Sequence, residues 1–164
     1  MLAYTQVSAL TIKKIRSHFQ YINNFEGYKI VSNQSEPIAS DEEDSGDGSL
    51  SYRAFIKNDS LLKVFETSYT ASHKHTTEFY FWQDSLFFVF SKVQRAAYDS
   101  LTTSLNFNSL ETVAESRIYI NKLQIVKRTD TGDKDYFYEP HKRPGDFCLF
   151  PDDLRTYFEP YLNR

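Results

Sequence analysis

Two histidines and a glutamate form the clearest metal-binding pattern in the chain. His73 and His75 alternate along one stretch, and Glu78 follows three residues later. Alternate side chains of a strand point to the same face, so both imidazoles could bind one zinc ion with Glu78 as a further ligand. Two histidines alone do not make a site, and an exposed pair in a hairpin loop explains the same pattern. The metal site is therefore one of two interpretations.

Other groups that could perform hydrolysis lack a recognisable catalytic pattern. Cys148 and His141 are the only cysteine and histidine that share one segment, and the apolar neighbours of Cys148 are typical of a buried residue. Glu66, Glu78 and Glu115 could supply paired carboxylates, although the outer face of a sheet is their ordinary place. A small hydrolase or metal-dependent enzyme built on the two histidines and Glu78 is thus an alternative function.

Aromatic side chains make up 16% of the chain and concentrate on predicted strands, as their β-propensity favours. Four of them could contact a ligand on one sheet face: Tyr80, Trp82, Phe88 and Phe90. Packing of the core explains the same rings. We take these four as the candidate ligand-binding residues.

A repeated sequence motif, here called the repeated phrase, positions these side chains. It consists of an aromatic strand, a polar turn and then an apolar strand that begins with Leu. It occurs in Phe79–Val89 and Phe55–Val64, and in shorter form in Ile118–Val126. Each copy predicts a β-hairpin, and successive hairpins predict an antiparallel sheet. The turns at Asn58-Asp59 and Gln83-Asp84 lack the glycine that two-residue turns favour, so we expect loops of three or four residues.

The chain is predicted to be one domain over residues 1–164. Apolar residues at helical spacing predict an N-terminal helix, and Gln94–Ala114 is predicted as a long connection. The predicted segments are a helix over 5–24, an acidic mobile loop over 32–49, an antiparallel sheet over 50–139 and a short helix over 151–159. The fold class is α+β, with the N-terminal helix packed on a curved antiparallel meander of about five to seven strands and a short C-terminal helix. A closed barrel is the alternative.

Composition narrows the classes of partner. A formal net charge of −3 gives no reason to expect nucleic-acid binding. No apolar run is long enough to predict a transmembrane segment, and the first residues lack the pattern of a signal peptide. The single cysteine excludes an intramolecular disulfide, and no motif predicts a cofactor.

The two fullest phrases also carry a family resemblance. Glu78–Val89, followed by Glu115–Leu123, resembles uncharacterised proteins of Bacteroidetes-type bacteria that repeat an aromatic strand, an Asp/Asn turn and a Leu-led strand. The likeness covers Ile12–Lys127, and this chain has Ser85 and Lys122 where glycine is more usual. The resemblance implies an exported protein in the periplasm or cell envelope, and it supplies no catalytic residues.

Together these patterns predict a non-enzymatic binding or protein-interaction module of the bacterial cell envelope. It would hold a protein or an apolar ligand on the concave face of the sheet or along an exposed edge.

Overall fold

The computed structural model describes residues 6–34, 50–101, 103–122 and 124–138, together with positions 158, 160 and 162. These residues contain one α-helix and seven strands, namely α1 (Gln6–Asn24), β1 (Lys29–Gln34), β2 (Leu50–Lys57), β3 (Ser60–Tyr69), β4 (His73–Trp82), β5 (Ser85–Asp99), β6 (Ser104–Asn121) and β7 (Gln124–Gly132). Each strand pairs antiparallel with the next, so the sheet order is the chain order. The predicted α+β class, with an N-terminal helix and an antiparallel sheet, is confirmed.

The sheet is open, with β1 and β7 at its two edges, so the described strands do not form the alternative closed barrel. Beyond β7 the described chain has a short 3-10 turn over Lys134–Tyr136. The helix predicted over 151–159 lies outside the described residues except for position 158. The first three residues of the predicted acidic loop belong to β1, and its remainder, 35–49, lies outside the described residues.

The repeated hairpins have two-residue turns. Asn58 and Asp59 have φ values of 46° and 58°, and Gln83 and Asp84 have values of 48° and 62°. Two consecutive residues with positive φ match the twist of the flanking strands, as in type I′ turns. The prediction of longer loops is therefore wrong, because Asn and Asp accept this conformation without glycine. Lys122, with φ of 49°, begins a third turn in the same way.

Each repeated turn is followed by a β-bulge in the second strand. Leu62, Phe87 and Val126 are the extra residues that have no partner in the preceding strand. All three belong to the apolar cluster beneath α1, on the side of the sheet that we call the helix face. The bulges therefore form a row of apolar side chains that supports the helix.

The helix buries the stripe that its sequence spacing predicts. Ile15 and Ile22 are buried, and the Phe19 ring lies 5.0 Å from the Tyr80 ring and 5.3 Å from the Phe88 ring between centroids. Complete burial of one such side chain stabilises the fold by about 1.5–3 kcal/mol. Packing on the helix face thus fixes α1 across the sheet.

The opposite face, here called the inner face, is covered by later parts of the same chain. Phe158 and Leu162 are buried in its apolar cluster. Five polar side chains also lie next to one another across neighbouring strands of this face: Glu66, Thr77, Ser91, Ser116 and Asp130. The Tyr138 backbone N–H donates to Ser116 Oγ at 3.1 Å. The polar row therefore helps to hold the segment that follows β7 against the sheet.

The segment Gln94–Ala114 differs from the predicted long connection. Strand β5 continues to Asp99 and β6 begins at Ser104, so the two strands extend beyond β4 and β7 as a hairpin. We call the part of this hairpin from Ala96 to Val113 the arm. Its mixed polar sequence concealed the strand pattern.

Candidate functional site

The structure separates the three predicted metal ligands. His73 and His75 lie on the inner face of β4 with ring centroids 6.2 Å apart, whereas Glu78 points to the helix face. Glu78 follows His73 by five positions and His75 by three, and odd offsets along a strand place side chains on opposite faces. Within the described residues, no three His, Cys, Asp or Glu side chains come close enough to hold a metal ion.

The His73 ring is engaged by its neighbours. Ser72 Oγ lies 2.9 Å from Nδ1, and Arg95 Nε donates to Nε2 at 3.4 Å. The Tyr136 ring packs against the same imidazole, with centroids 4.8 Å apart. Burial, with Arg95 as a second cause, lowers the pKa of His73. These contacts give the histidine a packing role at one end of the sheet.

Glu78 joins the end of α1 to the sheet. Its carboxylate lies 2.5 Å from Lys63 Nζ and accepts a hydrogen bond from the Tyr80 hydroxyl. Lys63 Nζ also donates to Asn23 Oδ1 at 3.3 Å. Burial, followed by the Glu78 contact, raises the pKa of Tyr80 well above its usual range. We call this cluster the closed end of the helix.

Three of the four predicted ligand-binding aromatics serve to pack α1. Tyr80 and Phe88 are buried, and Trp82 stacks on the His18 ring with centroids 3.9 Å apart. Phe90 is half-buried beside the Arg117 guanidinium, which lies 5.0 Å from its ring centroid. All four rings belong to or pack against the apolar cluster that includes Ile15 and Ile22 of the helix.

A groove of about 690 Å³ lies between one flank of α1 and the edge strand β7. The residues that line it are Ile12, Lys13, Arg16, Ser17, Gln20, Val126 and Lys127. Ile12 and Val126 supply half-buried apolar surface, and three exposed cations surround it. The sequence patterns did not single out the cations of α1, so this groove was not predicted. The signal available was that α1 contains no acidic residue to balance them.

The strand beside this groove is the last of the sheet. An edge strand presents backbone N–H and C=O groups that can pair with another chain. Ile125 is 55% exposed there, and the bulge at Val126 turns two successive side chains, Val126 and Lys127, toward the helix face. Lys13 and Arg16 form no ion pair with another described residue. The groove therefore combines the edge strand of the described sheet, an apolar floor and cations that have no described ion-pair partner.

The arm carries a second surface. Tyr98, Leu101 and Leu105 are 66%, 94% and 37% exposed, which makes the tip the most apolar exposed part of the described chain. A cleft of about 490 Å³ lies at its base, beside Ser72 and Arg95.

Comparison of the chain with protein-family models, with curated proteins and with solved structures gives no match. The resemblance drawn from the repeated phrases therefore stays a prediction. Within the described residues, no helix has the length and apolar character that crossing a membrane requires.

Proposed function

We propose that this protein is a non-enzymatic binding module that takes up an extended polypeptide along β7, in the groove beside α1. The observation that carries this proposal is the groove itself, which sets a helix flank against the edge strand of an open sheet. An edge strand can offer main-chain hydrogen bonds to an added strand, and the helix flank offers contacts to alternate side chains of that strand.

The lining of the groove favours binding over catalysis. Among the described residues that line it there is no His, Cys, Asp or Glu, and Ser17 has no base beside it within that set. Nucleophilic catalysis requires a base within hydrogen-bond reach of the nucleophile. The inner face is also less suited to a ligand, because Phe158 and Leu162 of the same chain pack there. An exposed edge is therefore the better supported of the two predicted binding surfaces.

A selection from a library of random nine-residue peptides tests the proposal. Each enriched peptide is then remade with N-methyl groups on its odd-numbered or on its even-numbered residues. Because a strand points alternate N–H groups to opposite edges, one methylated set should abolish binding and the other should leave it nearly unchanged. Failure to enrich any peptide, or equal tolerance of both sets, would contradict strand addition.

The resemblance described above adds a setting to this proposal, namely the periplasm or cell envelope. Fractionation of the source cells tests it. Recovery of the native protein in the periplasmic or membrane fraction supports the setting, and recovery in the cytoplasmic fraction overturns it.

A further inference from the structure

Resting on the proposed function, we infer that the polypeptide bound at β7 is acidic on the side that faces α1. Its carboxylates would meet Lys13, Arg16 and Lys127, and one apolar side chain would contact Ile12 and Val126. The three cations reach the groove from both of its walls, two from the helix and one from the strand. The groove is thus a site for an acidic strand with an apolar anchor.

The positive charge of the groove differs in sign from the net charge of the protein. The protein has a net charge of −3, yet the part of the groove that the structure describes is lined by three cations and no acid. Like charges in one groove repel one another unless an anion neutralises them. At physiological ionic strength charges interact over roughly 8 Å, so acids on distant surfaces contribute little. Complementary charge on the partner accounts for this clustering.

The spacing of the cations also fits a strand. Lys13 and Arg16 are three residues apart on the helix, which places their Cβ atoms about 5–6 Å apart. Alternate side chains of an extended peptide are separated by roughly 7 Å. Two acidic residues at positions i and i+2 can therefore reach the two cations with little adjustment of the flexible side chains. The position i+4 then falls further along the groove and is suited to an apolar residue.

A pair of defined peptides tests the inference by fluorescence anisotropy. The first has the sequence Thr-Asp-Thr-Glu-Thr-Val-Thr, and the second replaces Asp with Asn and Glu with Gln. We expect the acidic peptide to bind at least about tenfold more tightly, because close opposite charges across an interface contribute more than 1 kcal/mol. Its affinity should fall as NaCl is raised from 50 to 300 mM, roughly in line with stronger screening.

Charge reversal on the helix provides the matched comparison. Arg16→Glu should weaken the acidic peptide about tenfold or more and should improve binding of a third peptide that has Lys at both acidic positions. Lys14→Glu changes the net charge by the same amount, but Lys14 does not line the groove. This control should alter affinity by less than about twofold.

The possible results separate the inference from the proposed function. Equal binding of the acidic and neutral peptides, with the N-methyl pattern intact, overturns the acidic partner and leaves strand addition standing. No binding of any peptide, including those from the random library, overturns strand addition itself. Displacement of the acidic peptide by duplex DNA or by phosphatidylserine vesicles at equal charge concentration overturns the polypeptide as occupant.

Discussion

The two ends of the contact between α1 and the sheet use positive charge in opposite ways. At the closed end, Lys63 pairs with Glu78, and Lys57 Nζ lies 3.6 Å from the Phe25 ring centroid. At the other end of the contact between α1 and the sheet, beside β7, which we call the open end, Lys13 and Arg16 line a groove and pair with no described acid. The same residue types thus hold the scaffold together at one end and are available for a partner at the other.

The closed end also secures the termination of the helix. The Tyr28 hydroxyl donates to the Ile22 carbonyl at 2.7 Å, and Lys57 Nζ donates to the Tyr21 hydroxyl at 2.5 Å. Carbonyl groups in the last turn lack partners within the helix, and nearby cations interact favourably with the helix dipole. Burial, with Tyr21 as a second cause, raises the pKa of Tyr28 to about 12. Side chains from outside the helix therefore hold its C-terminal turns in place.

The largest expected effect comes from truncating apolar side chains at the two ends. Ile22 is 1% exposed, so Ile22→Ala should lower the free energy of unfolding by about 2–4 kcal/mol through lost burial and the cavity left behind. Ile12 is only half-buried in the groove, so Ile12→Ala should lower it by less than about 1 kcal/mol. Urea unfolding of both variants measures the difference. Equal losses would contradict the contrast between the ends.

A smaller effect is expected from removing one charge at each end. The side chains of Lys63 and Glu78 are 16% and 20% exposed, so Lys63→Met leaves a largely buried carboxylate beside Tyr80 without its cation. We expect a loss of about 1–2 kcal/mol, reduced from that of a fully buried pair by the remaining solvent contact. Lys127→Met, at the open end, should change the unfolding free energy by less than about 0.5 kcal/mol. A similar loss in both variants would count against a structural role confined to the closed end.

The smallest expected effect is a pH dependence of the unfolding free energy that comes from His18, which lies between the two ends. Burial, and then Lys14, lowers the pKa of His18, which stacks on Trp82. The unfolded chain therefore takes up this proton first, so stability should decrease as the pH falls through about 6.5 and level off below the folded-state pKa. Because Trp82 is the only tryptophan, its fluorescence should report the titration directly.

His18→Gln provides the control for this titration. The variant should lose the fluorescence change and should show a weaker decline in stability between pH 7 and pH 5, while the contribution of His73 persists. An unchanged pH profile in His18→Gln would show that the stacked imidazole does not titrate as described.

The elements of the scaffold could be predicted from sequence because their signals are local. Apolar spacing identified α1, and the repeated phrases identified the hairpins whose strands are connected by the turns at Asn58 and Gln83. The length of those turns was mispredicted, because Asn, Asp and Gln adopt the positive φ values of a two-residue turn and the glycine that would signal such a turn is absent. Strand β1 was missed because its short sequence alternates only weakly.

The groove could not be predicted because it depends on residues that are distant in sequence. Ile12 and Val126 meet only when the helix lies across the complete sheet, where the three bulged residues pack in the cluster beneath it. The bulges themselves follow from the repeated phrase, although their direction toward α1 required the structure. The predicted metal ligands failed to converge for a similar reason, since strand alternation separated Glu78 from both histidines.

Amide hydrogen exchange measured with and without the acidic peptide Thr-Asp-Thr-Glu-Thr-Val-Thr tests the central claim most directly. Pairing along β7 should slow exchange of amides within Gln124–Gly132, because their outward N–H groups gain hydrogen bonds. Amides of β1 at the opposite edge, Lys29–Gln34, should keep their rates and serve as the internal control. Protection that appears at β1, at the arm or at the closed end while β7 stays unchanged would contradict binding at the open end.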